Sequence, residues 1–236
     1  MKINRKRVST SLVIPMYNEA TYMPKLLASI RASTVLPDEI IICDNGSTDD
    51  SVAIVRHAMH TLPIRVVHEH NKGIRHAIDR AWREASGDII FRTDADCVLP
   101  PQWMAHALLH FANDPLLMAC TGPLKSPDGS RLDIFLTFAW TRYPAIAFTW
   151  LQGYPLLIGS NSAFRKTALI AVDGYTTKKH VLEDQLISRK LADAGMKTRW
   201  FWDMSMYHSS RRFHGKPHAY IPYVLSLVHP AFYAEK

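Results

Sequence analysis

The chain has 236 residues, 47% hydrophobic and 21% charged, enough to bury a substantial core and ordinary for one folded domain. Its formal net charge of +7 admits nucleic acid, acidic lipid or a phosphorylated small molecule as partner, and by itself selects none of them. The three cysteines, Cys43, Cys97 and Cys120, form no CxxC pair and have no histidine at zinc-ligand spacing, so they read as reduced thiols of a cytoplasmic protein rather than a disulfide or zinc framework.

Met1 to Arg7 is basic and reads as solvated surface. The apolar run after it, Leu12 to Pro15, is short and leads into Asn18 and Glu19, which is not a signal-peptide pattern. No uncharged apolar stretch reaches the roughly 18 residues that a bilayer span requires. The expectation is a protein either free in the cytoplasm or peripheral on the inner face of the cell membrane.

Ser11 to Pro15 and Glu39 to Asp44 are short apolar runs, the second rich in β-branched residues, and both fit buried parallel strands. Between them Met23, Leu26, Leu27 and Ile30 recur at helical spacing, giving a βαβ unit. The alternation continues with a helix over about 49–59, a strand over 64–67, a helix over about 73–85 and a strand over 88–91. Such a pattern predicts an α/β fold, a Rossmann-like, mostly parallel sheet flanked by helices, with ligands beyond the carboxyl ends of the strands.

The second half is less regular. It reads as a helix over about 101–112, a strand near 118–122, a Pro/Gly-containing loop over 123–129, a helix over about 184–194 ended by Gly195, and a strand over about 198–202. Leu132 to Ile158 is rich in aromatic residues. It is either core or dimer face, or an interfacial segment lying in a headgroup region.

Polar residues gather after the strands. Asp94 and Asp96 stand two apart with small Ala95 between them, so in an extended segment both carboxylates emerge on one side, where they attract a divalent cation. In Asp44-Asn45-Gly46-Ser47-Thr48-Asp49, turn and cap chemistry accounts for Gly46 to Asp49. It leaves Asp44 free to accept from a donor such as a pyrimidine N–H. Glu183 and Asp184 open a helix, and the helix dipole alone accounts for one of them.

Taken in order, Pro15-Met16-Tyr17-Asn18-Glu19, Asp44 to Asp49, Asn71-Lys72-Gly73, Asp94-Ala95-Asp96, Gly159-Ser160-Asn161 and Glu183-Asp184 resemble the motif set of the family-two, GT-A-fold, inverting glycosyltransferases. The resemblance covers about residues 11–195. It implies one GT-A domain over 1–236, with a nucleotide-sugar-binding half over about 8–97 and a less regular acceptor and catalytic-base half over about 98–236.

The resemblance also implies roles. Pro15, Tyr17 and Glu19 line the nucleoside of a UDP-sugar, or less often a GDP- or dTDP-sugar, and Asp44 bonds the base. Lys72 and Arg75 lie near base or diphosphate, unless they are simply exposed. Asp94 addresses the ribose or the metal, Ala95 lets the donor approach, and Asp96 coordinates Mn²⁺ or Mg²⁺, whose hard oxygen ligands suit it. Asp184, supported by Glu183, is the base that deprotonates an acceptor hydroxyl. His208 is either structural or a third metal ligand, and Asn161 either bonds a sugar hydroxyl or merely forms a turn. Arg211 and Arg212, with Lys216, close over the diphosphate. The processive members' Gln-x-x-Arg-Trp motif is absent here, which points to transfer of one sugar to a glycan or lipid-linked acceptor in polysaccharide biosynthesis.

A nucleotidyltransferase is a rival, but Pro15 to Glu19 has no Gly-rich basic phosphate loop. A non-catalytic nucleotide-sugar binder or a nucleic-acid module leaves Asp94, Asp96 and Asp184 without a reason, because carboxylates repel phosphate unless a cation intervenes. Nucleic acid is therefore not expected as a partner, and the sequence leaves the oligomeric state open.

Overall fold

The computed structural model describes residues 7–125, 147–177, 182–209 and 211. Strands β1 (Thr10–Met16), β2 (Glu39–Asp44), β3 (Ile64–His68) and β4 (Ile89–Arg92) alternate with helices α1 (Met23–Arg31), α2 (Ser51–Ala58) and α3 (Ile74–Glu84). After β5 (Cys97–Val98) come α4 (Trp103–Asn113), β6 (Leu117–Thr121), β7 (Leu124–Lys125), β8 (Ser162–Arg165), α5 (Lys166–Ala171), α6 (Glu183–Asp193), β9 (Lys197–Trp200) and β10 (Met206–His208).

The main sheet has seven strands in the order β3-β2-β1-β4-β8-β6-β9. The first four are mutually parallel, and β8 runs antiparallel to both its neighbours, β4 and β6. A smaller sheet, β5-β10-β7, closes the carboxyl edge. It carries the expected mixed α/β, GT-A architecture, with the inserted antiparallel strand and the small sheet as features that the alternation did not announce.

Both faces of the sheet are covered, which is why its strands read as continuous apolar runs. Leu12, Ile14, Ile40 and Ile42 point to one side and pack with Leu26, Ile30, Val55 and Trp103 of α1, α2 and α4. Val13, Ile41 and Cys43, one residue out of phase, point to the other and pack with Ile78 and Trp82 of α3 and with Ile187 and Leu191 of α6. At roughly 25 cal/mol per Å² of apolar surface, these two layers supply the main force that fixes the strand ends in place. No helix among the described residues is long and apolar enough to cross a membrane. Of the aromatic segment 132–158, residues 132–146 lie outside the described residues.

Candidate active site

Loops after β1 and β2 form one surface. The chain leaves β1 through Asn18, whose φ of 54° is left-handed, a conformation asparagine tolerates better than most residues. Its side-chain oxygen accepts from the Thr48 N–H at 2.8 Å, and its own N–H donates to Ser47 Oγ at 3.0 Å. Glu19 N–H donates to Ser51 Oγ, and Ala20 N–H to Asp49.

Asp44 is buried and works inside this turn. It accepts from the Ser47 N–H at 3.0 Å and pairs with His68 Nδ1 at 3.3 Å. Burial alone raises its pKa, but the bonds from Ser47 and His68 outweigh it and hold the carboxyl below its usual range. Asp44 is not among the residues lining the cavity described next. The residue that reaches the third loop is its neighbour Asn45, unforeseen from sequence, whose amide donates to the Glu69 and Asn71 carbonyls and accepts from the Gly73 N–H.

A cavity of about 360 Å³ opens above the carboxyl ends of β1 and β4. It brings Pro15, Tyr17, Glu19, Lys72, Asp94, Ala95, Asp96 and Arg211 to one place, as the strand-end reading anticipated. Lys72 Nζ lies 4.4 Å from the Tyr17 ring centroid and donates to the carbonyls of Asn45 and Gly46 at 2.9 and 3.2 Å. Arg75, half-buried on the first turn of α3, does not line the cavity. A larger and more open depression, about 580 Å³ along Tyr154, Arg189 and Lys197, contains none of the expected site residues.

Arg211 closes one side. Its guanidinium forks onto Glu19 at 2.8 and 2.5 Å, its Nε stands 3.0 Å from Asp96 Oδ2, and it lies over the Tyr22 ring. Burial opposes its charge, but the Glu19 bonds and Asp96 raise its pKa. Arg212 lies outside the described residues.

Three side chains in this wall have the composition of a metal site: Asp96, Cys97 and His208 offer ligand atoms within 4.8 Å of one another. β10 pairs His208 with Cys97 across the small sheet, which sets His208 Nε2 3.4 Å from Asp96 Oδ1. Burial pushes the Cys97 thiol well up, and a soft sulfur is not the ligand that a hard cation selects. What remains is a carboxylate and an imidazole, suited to a hard or borderline cation such as Mn²⁺. Asp94 Oδ1 is buried without a hydrogen bond among the described residues, while Asp96 Oδ2 faces Arg211 Nε at 3.0 Å, so a cation here would share Asp96 with Arg211 or displace it.

The acidic pair begins α6 on the other side of β4. Between it and Asp94 lies a residue that motif reading missed. Arg92, the last residue of β4 and only 2% exposed, places Nη1 3.2 Å from Asp184 Oδ1. Its Nη2 stands 3.5 Å from Glu183 Oε1 and 3.8 Å from Asp94 Oδ1. Tyr175 caps the guanidinium, with its hydroxyl 3.4 Å from Nη1 and its ring centroid 5.4 Å away. Burial works against the charge on Arg92, but the Tyr175 oxygen and the carboxylates of Asp184, Asp94 and Glu183 prevail and raise its pKa. Burial pushes Asp184 up to about 7, with Arg92 acting in the opposite direction and Glu183 adding to the rise. Asp94 is raised by the same cause. A signal was available in the sequence, since an arginine ending the apolar run Ile89-Ile90-Phe91 is rarely buried unless paired.

Gly159 is the floor under this cluster. A methyl group there would overlap Arg92 Nη1 and Asp184 Oδ1, so glycine is required for close approach rather than for a turn. Asn161 faces inward: fully buried, it accepts from Trp103 Nε1 at 2.7 Å and donates to the carbonyls of Met204 at 2.7 Å and Pro123 at 3.1 Å. These three bonds tie α4, the loop after β6 and the segment before β10 together.

Residues 11–172 match the model of glycosyl transferase family 2, a span that ends before Glu183 and Asp184. Among curated proteins, the chain is 25% identical over 209 residues to the O-antigen chain rhamnosyltransferase RfbN of Salmonella typhimurium, covering 84% of this chain and 66% of that one. It is 36% identical over 117 residues to a chondroitin synthase of Escherichia coli, covering 49% of this chain and 17% of that one. It is 35% identical over 98 residues to the undecaprenyl-phosphate 4-deoxy-4-formamido-L-arabinose transferase of Pseudomonas syringae, covering 39% and 29%. The chain thus spans no more than 66% of these relatives' length. Among solved structures, the mannosyltransferase PcManGT of Pyrobaculum calidifontis, in complex with GDP-Man and Mn²⁺, superposes with a TM-score of 0.74 at 23% identity, over 98% of this chain and 66% of that one. Motif order, sheet topology and the span of the match agree, and the chain belongs to glycosyl transferase family 2.

Proposed function

We propose that this protein transfers a single sugar from a nucleoside diphosphate sugar to a hydroxyl acceptor, with inversion at the anomeric carbon. The observation that carries this reading is the juxtaposition of two carboxylate groups across β4: Asp94 and Asp96 on the cavity wall, and Asp184 one guanidinium away on the acceptor side. Tyr17 and Lys72 offer an aromatic face and a cation to the nucleotide. Arg211 is placed to turn from Glu19 and Asp96 to the diphosphate, because a planar guanidinium serves either anion.

Asp96 and His208, with Asp94 beside them, would hold a divalent cation, Mn²⁺ or Mg²⁺. When bound, that ion neutralises charge on the departing diphosphate. Asp184, ionised, accepts the proton of the attacking hydroxyl, and Glu183 shares Arg92 with it. Attack from that side, opposite the leaving diphosphate, inverts the sugar carbon. PcManGT is described with GDP-Man and Mn²⁺, and a transferase named for undecaprenyl phosphate stands among the relatives. The first supports a nucleotide-sugar donor and the second a lipid-linked acceptor.

The test is thermal shift with UDP-N-acetylglucosamine, UDP-glucose, GDP-mannose and dTDP-rhamnose, each with Mn²⁺ and with EDTA. One donor is expected to raise Tm with Mn²⁺ and to lose that effect in EDTA or in His208→Ala. Equal shifts with and without chelator would remove the cation from the reading, and no shift with any donor would remove the nucleotide sugar.

A further inference from the structure

We propose that Arg92 is a positioning residue of the transfer reaction, a rigid spacer that fixes the separation between the acceptor-side base and the donor-side carboxylate. The proposal rests on the reading of Asp184 as that base. Its own footing is geometric. One guanidinium reaches Asp184 through Nη1 at 3.2 Å, and Glu183 and Asp94 through Nη2 at 3.5 and 3.8 Å. Each of these carboxylates keeps about a fifth of its side chain open, at 20%, 21% and 20%, whereas Arg92 keeps 2%. The acids face outward and the cation sits behind them.

A buried arginine serving stability alone has no need of that arrangement. Buried ion pairs contribute weakly to stability, and an apolar replacement of similar volume is often no worse. Here the guanidinium comes from the last residue of β4, with Asp94 two residues beyond the strand end, so the position of Arg92 is fixed by the sheet rather than by a loop. Gly159, in the turn that leads into β8, lies against it on one side and Tyr175 covers it from another. The planar fork then sets where Asp184 can stand, although Asp184 belongs to a helix 92 residues later in the chain. A lysine has the charge without the fork. A base displaced by about 1 Å loses on the order of 10²-fold in rate while donor binding survives.

The experiment measures nucleoside diphosphate release from whichever donor of the same four-sugar panel the wild type turns over fastest, comparing Arg92→Met, Arg92→Lys, Asp184→Asn and the Arg92→Met/Asp184→Asn double variant. Arg92→Met is expected to lower kcat about 10²-fold with donor KM changed less than about threefold. Arg92→Lys is expected to recover part of that loss, and the double variant to be no slower than Asp184→Asn, because the two residues act as a unit. Wild-type kcat in Arg92→Met beside a slow Asp184→Asn overturns the spacer role and leaves the base reading intact. Undiminished turnover in Asp184→Asn overturns the base reading itself. Arg92→Lys is the variant that guards against misfolding: if it melts at the wild-type temperature and turns over at the wild-type rate, the fork is irrelevant and the proposal fails.

Discussion

The two walls of the cleft are built on different physical principles. On the nucleotide side, polar groups are satisfied by short hydrogen bonds within and between neighbouring loops: Asp44 to Ser47, Asn18 to Thr48, Asn45 to Glu69, Asn71 and Gly73. On the base side, the same task falls to an ionic knot in which Arg92 faces Asp94, Glu183 and Asp184 from the protein interior. Most of these bonds are between neutral groups, and Asp44 is held below the usual carboxylate range, so they change little near neutral pH. A charge cluster depends on the protonation and position of every member, so the second wall should respond to pH and to small displacements far more than the first.

The sharpest way to break this contrast is Asp184→Asn. Turnover is expected to fall about 10²–10⁴-fold, the range of a general base, with nucleotide binding retained. In the wild type, kcat/KM should rise with pH through about 7, where Asp184 ionises. Stability should move the other way. Because its folded-state pKa is raised, Asp184 favours folding below the usual carboxylate range, and that contribution is lost as pH climbs through about 7. The asparagine variant should therefore gain several degrees in Tm over wild type at pH 8 and much less at pH 4, and an unchanged difference across that range would refute the buried-charge account.

Next in size is Gly159→Ala, which drives a methyl group into Arg92 and Asp184. Overpacking of this kind costs about 1–3 kcal/mol, and kcat is expected to fall with it. Preserved kcat would mean that the knot has slack. Asn161→Leu keeps the branched shape but removes the partner of Trp103 Nε1 and of the Met204 carbonyl, while the Pro123 carbonyl keeps the Met206 N–H. It should cost about 2–4 kcal/mol in urea denaturation and leave the donor KM of the folded fraction unchanged. A raised KM with intact stability would assign a sugar contact to Asn161. Smallest is Arg7→Ala, which removes an ion pair to Asp38 whose arginine is 79% exposed. Less than about 0.5 kcal/mol is expected, since exposed pairs contribute little.

These regions also differ in how far their chemistry can be read from the chain. Each polar loop of the first half follows a parallel strand directly, so local pattern put Glu19, Lys72, Asp94 and Asp96 at strand ends and the family resemblance added Tyr17; all five line the cavity. The helix expected over about 49–59 runs Ser51–Ala58, shortened because Asp49 is spent on bonds to Ser51 and Ala20. Long-range partnerships were not legible. Nothing near Arg92 in sequence names Asp184, nothing near Asn161 names Trp103, and Arg211 meets Glu19 from 192 residues away. Asp44 also has a second task that its place at a strand end did not reveal: it accepts from Ser47 and pairs with His68 within its own turn.

The direction of β8 has a last implication. A strand running against its neighbours enters the sheet where they leave it, so Ser162 stands beside Arg92 and the stretch leading into it, Gly159 to Asn161, arrives at the mouth of the cleft. A parallel strand delivers only its exit loop to that edge; this one delivers its entrance. Gly159 to Asn161 are therefore held against Arg92 and Asp184 by the entry of β8, and changes there reach the acidic pair while the nucleotide wall, anchored to the other strands, stays as it is.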